Sequence, residues 1–180
     1  PTRASGTLVT YEEWRAQFPA IPGVAVPSEP NPLPRLDYGP EAERGILHEP
    51  PVPTGDRYPV FVTIVDDDGN EVAGVRVPMV AVPLATHTGW NLRARGHGHG
   101  VQWRFEGSTI PFPDTTSERI ATGDPRPAIL ERYEDKAAYV AAIVTAARFL
   151  VTQRLLLEED VARAAEAAAD WGRPRHEVHL

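Results

Sequence analysis

Two histidines one residue apart, His97 and His99, stand among Gly96, Gly98 and Gly100. Imidazole nitrogens ligate zinc, copper and nickel. On an extended segment residues i and i+2 share a face, so this spacing offers two ligands to one ion, with His87 or Glu106 as a third. No carboxylate lies inside the motif. A Gly-His repeat also makes a polar, solvent-exposed loop tip, or lines a pocket, and all three readings stand at this level. His87 lies in Ala85-Thr86-His87-Thr88-Gly89-Trp90-Asn91. An imidazole there titrates near neutral pH and suits a general base. It equally suits a hydrogen-bonded structural role, because no nucleophile is evidently paired with it.

Other chemistry is harder to find. The serines are Ser5, Ser28, Ser108 and Ser117, and none occupies a G-x-S-x-G nucleophile elbow. Asp66, Asp68 and Asn70 around Gly69 have calcium-ligand character. An EF-type loop, however, needs glycine at its sixth position and a bidentate Glu at its twelfth, so a hairpin turn is expected. There is no phosphate-cradling glycine loop and no His-Glu-x-x-His helix. His176 and His179 belong to a terminal tail expected to fray.

The elements that must position these groups fall into three stretches. Residues 1–59 hold 12 of the 19 prolines. Proline fixes φ and lacks a donor, which excludes long helices and central strands. One short helix, Tyr11–Phe18, is predicted, with Thr10 as its cap and Glu13 as the capping-box partner. From Val24 to Pro59 an extended wrap is expected, ordered by Val24, Val26, Leu33, Leu36, Tyr38, Ile46, Leu47 and Val52, which give it apolar surface to bury.

Residues 60–113 begin with the β-branched run Val60–Val65. A turn at Asp66–Asn70 follows, with Gly69 available for positive φ, and then Val72, Val75, Val77, Val80 and Val82. This predicts a β-hairpin whose second strand ends at an edge, marked by Pro78 and Pro83. Residues 84–113 read as loop, with a short strand conceivable at Gln102–Phe105.

Residues 114–180 read as helical. Asp114 or Thr115 caps a helix ending near Thr122 and closed by Gly123. Asp124-Pro125 would start a second, running to about Tyr133. Asp135 caps a long helix in which Tyr139, Val140, Ile143, Val144, Ala147, Leu150 and Val151 form one apolar stripe. A last helix, about Glu158–Trp171, opens with three acids that suit a helix N-terminus and ends at Gly172 and Pro174. The two long helices are expected to pair antiparallel. The expected fold class is α+β: a Pro-rich extended wrap, a β-hairpin and a C-terminal helical hairpin, making one domain or part of a larger one.

Composition narrows the function classes. The chain has 180 residues, 25 acidic against 18 basic side chains, a net charge of −7 and no cysteine. Thiolate metal sites, disulfides and Cys nucleophiles are therefore excluded. The charge argues against a nucleic-acid partner, and no apolar run reaches the length of a membrane span. No metal and no cofactor is assigned. The chain begins at Pro1 without an initiator Met; a removed leader and a cut from something longer both fit.

Read as whole phrases, the chain resembles a bacterial family of large α/β hydrolase domain-containing proteins. The phrases are Asp67-Asp68-Gly69-Asn70-Glu71-Val72-Ala73-Gly74-Val75-Arg76-Val77-Pro78, Val80 to Thr86, and Thr88-Gly89-Trp90-Asn91-Leu92-Arg93. Gly107 to Phe112, Gly123 to Pro127, Glu131-Arg132-Tyr133 and Tyr139 to Ala162 follow in the same order and spacing, and the resemblance spans about Tyr58 to Trp171, roughly two-thirds of the chain. The segment Arg95–Gly100 agrees least, so no role for His97 or His99 follows from the resemblance. The resemblance implies a C-terminal segment that completes an α/β-hydrolase-type parent. The nucleophile and catalytic His would lie upstream of the matched region, and the substrate would be a small-molecule ester. Its partner would be the hydrolase core, in the same polypeptide or a second chain. Loops on a rigid scaffold usually carry function, so the substrate-binding candidates are His87, Trp90, Asn91, His97 and His99, with no catalytic residue in this chain. The alternative is a stand-alone transition-metal-binding or scaffolding module built on the Gly96–Gly100 loop.

Overall fold

A computed structural model describes residues 2–27, 33–104 and 106–170. Ser28, Phe105, Trp171, Gly172, Pro174, His176 and His179 lie outside the described residues, so the expectations placed on them have no structural counterpart here. Within those residues the fold is α+β, with three two-stranded antiparallel sheets and six helices.

The N-terminal unit starts with β1 (Leu8–Thr10), which pairs with β4 (Phe61–Thr63) in the register Leu8 to Thr63, Val9 to Val62 and Thr10 to Phe61. Helix α1 (Tyr11–Gln17) follows directly. The expected capping box is present. The Thr10 amide donates to a Glu13 carboxylate oxygen at 2.7 Å, and the Glu13 amide donates to Thr10 Oγ1 at 3.2 Å. The Thr10 amide and hydroxyl, both donating to the Glu13 carboxylate, and the neighbouring Arg3 charge hold the Glu13 carboxyl below its usual range. Trp14 and Phe18, one turn apart, are the buried face. With Ile21 they form a core cluster joined by Val9, Val24, Val26, Val62, Val65, Trp90 and Ile110.

The proline-rich stretch departs from the expected wrap. β2 (Pro34–Asp37) folds back on β3 (Val52–Arg57) as an antiparallel ribbon, with a 3₁₀ turn at Ala42–Arg44 between them. Leu33, Tyr38, Ile46, Leu47 and Val52 remain exposed. Apolar content marked this segment as ordered, but backbone pairing rather than burial organises it. Prolines are tolerated because both strands of a two-stranded ribbon are edges.

The hairpin expected within 60–83 is short. The turn exists: Gly69 has φ +80°, the Asp66 amide donates to the Asn70 carbonyl at 2.8 Å, and Val65 bridges Glu71. Past Val72 the ladder stops, and β4 takes β1 as its strand partner instead. The segment read as a second strand becomes helix α2 (Pro78–Ala81), with Pro78 at its first turn. Proline's fixed φ suits a helix start as well as a strand edge, so the local signal at Pro78 does not choose between them.

The stretch read as loop contains a ribbon. β5 (Ala85–Thr88) pairs with β6 (Ser108–Pro111), Ala85 opposite Pro111 and Thr88 opposite Ser108. Gln102 makes only an isolated bridge to Leu92. The ribbon links the two cores. Ile110 packs on the Trp14 cluster, while Leu84 and Phe112, at its end, join Ile129, Tyr139, Ile143 and Ala168 in the second cluster.

The helical half follows its capping grammar with one exception. α3 (Thr116–Thr122) is capped by Thr115 and closed by Gly123 in the left-handed region. α5 (Lys136–Thr152) is capped by Asp135 and buries Tyr139, Ile143, Ala147 and Leu150, the expected stripe. α6 (Glu158–Ala168) opens with its three acids. Ala164 and Ala168, late in α6, share a cluster with Tyr139, Val140 and Ile143, early in α5, so the two helices run antiparallel. The exception is α4 (Ile129–Arg132), which starts at Ala128 rather than Asp124. Asp124 is turned inward to a different task.

Candidate functional site

A cleft of about 200 Å³ opens beside the N-terminal core. Its walls are Tyr11, Trp14, Phe18 and Trp90, backed by Val62 and Val65, and its polar positions include Glu71, His87, Thr88 and Gln102. A polar frame fixes these walls. Asn70 is fully buried; its Nδ2 donates to the Ala85 carbonyl at 3.0 Å, and its Oδ1 accepts the His87 amide at 2.7 Å. The turn at 66–70 is thereby docked on β5 and sets the position of His87. Asp66 Oδ1 accepts the Asp68 and Asn70 amides, while Oδ2 takes Arg76 at 2.7 Å. Asp68 holds Arg132 in a two-point ion pair. The side chains that suggested calcium therefore serve the turn and its docking.

Behind β5 and β6 sits Arg126, 1% exposed. Its guanidinium is saturated. Nε and Nη2 donate to Asp124 at 2.9 and 2.6 Å, Nη1 to Thr86 Oγ1 and the Ile110 carbonyl at 2.9 and 3.0 Å, and Nη2 to the Pro111 carbonyl at 3.1 Å. Thr86 Oγ1 in turn donates to the Asp68 carbonyl. One arginine thus ties both strands of the ribbon to the turn and to the loop before α4. Burial alone would raise the Asp124 carboxyl, but the hydrogen bonds and charge of Arg126 outweigh it and hold the group below its usual value.

The far end of the ribbon is held by a close backbone approach. A Cβ on Gly107 would fall 2.0 Å from the Thr88 carbonyl oxygen, so only glycine fits. Thr88 Oγ1 and Ser108 Oγ both donate to the Trp90 carbonyl, at 2.6 and 3.1 Å, and so fix the residue that carries the indole. That gives Ser108 a structural occupation.

The structure brings two of the five expected residues to the cleft, His87 and Trp90. His87 Nδ1 lies 3.4 Å from Thr109 Oγ1, and burial lowers the pKa of its ring below the ordinary histidine value. Asn91 is half-buried beside it, and its carbonyl accepts the Trp103 amide at 2.6 Å. His97 and His99 are exposed and are not among the described lining residues. Gly96, Gly98 and Gly100 all have positive φ, so this segment is a series of turns. The shared face expected of an extended His-x-His does not arise, because that expectation required strand geometry. Among the described residues no three His, Asp or Glu side chains gather as a metal site, and no helix is long and apolar enough to cross a membrane. The cleft residues that sequence reasoning missed are Tyr11, Trp14, Phe18, Glu71 and Gln102. The i, i+4 aromatic pair on a capped helix was the available signal.

The sign of the His87 shift gives a testable expectation. Its folded pKa lies below 6.5, so the unfolded chain takes up the proton first. The stability this provides is complete above pH 6.5 and is lost as pH falls through the folded value. Comparing urea midpoints at pH 7.5 and 5.5, the His87→Gln variant is expected to lose less stability on acidification than the parent. An equal loss in both proteins would contradict the assignment.

An α+β unit presenting an aromatic cleft with one histidine is the class that fold and site define. Residues 24–166 match the sequence model of a family described as alpha/beta hydrolase domain. The chain belongs to that family. Neither a curated protein nor a solved structure matches it.

Proposed function

We propose that this chain is the C-terminal, pocket-covering part of an α/β-hydrolase-type serine esterase, with the nucleophile on a core outside the sequence given. The family match over 24–166 is the observation that supports this most directly. It coincides with a sequence in which no serine stands in a nucleophile elbow. Among the described residues every strand pair is antiparallel, whereas α/β folds rest on a largely parallel sheet. On this reading the core is the partner, in the same polypeptide or a second one, and acyl transfer through its serine is the reaction. His87 and Trp90 face the substrate from the cleft, and Asn91, next in the chain, and the 96–100 loop with His97 and His99 reach the same mouth when the core is in place. The polypeptide's three stretches, 1–59, 60–113 and 114–180, then act together as one covering unit.

The chain alone is expected to release no nitrophenolate from p-nitrophenyl esters above the buffer rate. Turnover that disappears on His87→Ala or Ser108→Ala would place the active site in this chain and defeat the proposal. An antibody to the segment, used on lysate of the source cells, is expected to detect a species several times 19.7 kDa, or a 19.7 kDa chain co-purifying with a larger one. A lone 19.7 kDa species would remove the missing core from the account.

A further inference from the structure

The electrostatics of the cleft carry the reading one step further, taking the cleft as the place where substrate lies. Its described lining contains no Lys and no Arg, and Glu71 is its one formal charge. Asp66 and Asp68, in the adjoining turn, are matched by Arg76 and Arg132. Among the described residues Glu71 has no ion-pair partner. Burial of His87 favours its neutral ring, which adds no positive charge. Four aromatic rings share the rest of the wall with uncharged residues such as Val62, Val65, Thr88 and Gln102: Tyr11 to Trp14 centroids are 5.5 Å apart, Trp14 to Phe18 5.0 Å, and Phe18 to Trp90 5.8 Å.

We propose that the cleft selects an organic cation, an alkylammonium group on the ligand, over a carboxylate or phosphate. Ring faces attract a cation through their quadrupole, and a quaternary ammonium loses little hydration on entering. Glu71 adds a carboxylate at the polar edge. An anion entering the same space gives up its water opposite Glu71, with no fixed counter-charge to replace it. The matching substrate class is an ester that carries an alkylammonium group.

Calorimetry on the chain at low salt tests this with three probes of one shape class. Phenyltrimethylammonium carries the charge, 2-phenyl-2-propanol is its neutral counterpart, and benzoate is the anion. The ammonium is expected to bind roughly tenfold tighter than the alcohol, in the range of a partly desolvated cation–π contact, with benzoate weakest. Glu71→Gln, a change of like shape at an exposed position, is expected to weaken the ammonium about fivefold and leave the alcohol unchanged. Trp90→Leu, which keeps apolar bulk but removes the ring, is expected to narrow the gap between ammonium and alcohol. If the alcohol or benzoate binds as tightly as the ammonium, charge selection is overturned while the cleft stands as a ligand site. If none of the three binds, the cleft is no ligand site, and its role in the proposed function falls with it.

Discussion

Arg126→Ala is expected to cost about 3–5 kcal/mol, the range for breaking a buried ion pair from one side. Against a total stability of roughly 5–15 kcal/mol for a domain, that is a large fraction. The magnitude follows from what remains. Asp124 keeps its charge at 7% exposure with its cation gone, and Thr86 and the carbonyls of Ile110 and Pro111 lose their donor. An unpaired buried carboxylate is the dominant penalty. A double variant, Arg126→Met with Asp124→Leu, removes both charges and should recover most of the loss, because a buried pair is often matched by an apolar replacement of similar volume. Urea midpoints of the three proteins decide it. If the single and double variants are equally destabilised, the cost lies in lost packing and in the acceptors left without the Arg126 donor, rather than in the stranded charge.

The same pair sets an acid limit. The folded pKa of Asp124 is depressed, so its contribution is complete above the unfolded carboxylate value near 3.8 and is lost as pH falls through the folded one. The gap between the parent and Arg126→Ala should therefore shrink as pH falls, first because burial without its cation raises the stranded Asp124 carboxyl of the variant, which protonates, and then because the parent loses its own contribution.

How legible these features were depended on sequence distance. Thr10 with Glu13, Thr115 with Gly123, and Asp135 ahead of the Tyr139–Val151 stripe are signals contained within a few residues, and they specify α1, α3 and α5 directly. Asp124-Pro125 carries an equally good local signal for a helix start, yet Asp124 binds Arg126, which also donates to Thr86, 40 residues away. Local grammar could not reveal that the buried pair outbids the cap. The ribbon of β5 and β6 was hidden for a related reason. Ala85-Thr86-His87-Thr88 and Ser108-Thr109-Ile110-Pro111 each have strand character, but about twenty residues rich in Gly and Arg separate them, and pairing is a non-local event. His87 and Trp90 stood out by residue type. Glu71 did not, because one Glu among 25 acids is unremarkable until the chain folds it beside four aromatic rings.

Trp14 joins the fold to the cleft, and its removal is the second large effect expected. Its ring is 6% exposed and lies within 6.5 Å, centroid to centroid, of Tyr11, Phe18 and Trp90. Trp14→Ala loses the transfer energy of a large aromatic and leaves a void that Phe18, Ile21 and Val62 fill only in part. Core aromatic-to-Ala substitutions cost about 3–5 kcal/mol. Trp14→Phe keeps one ring and the helix spacing, so it should retain most of the stability. The void opens directly into the cleft, and this separates Trp14 from an ordinary core residue. In a folded Trp14→Ala variant the cleft gains volume and loses one ring face. Binding of 2-phenyl-2-propanol should therefore hold or improve while phenyltrimethylammonium weakens. Thermal melts with and without each probe measure both consequences on one sample. A variant as stable as the parent would show that Trp14 is not a core residue. Parallel losses for both probes would show that the rings act as bulk, with no preference for charge.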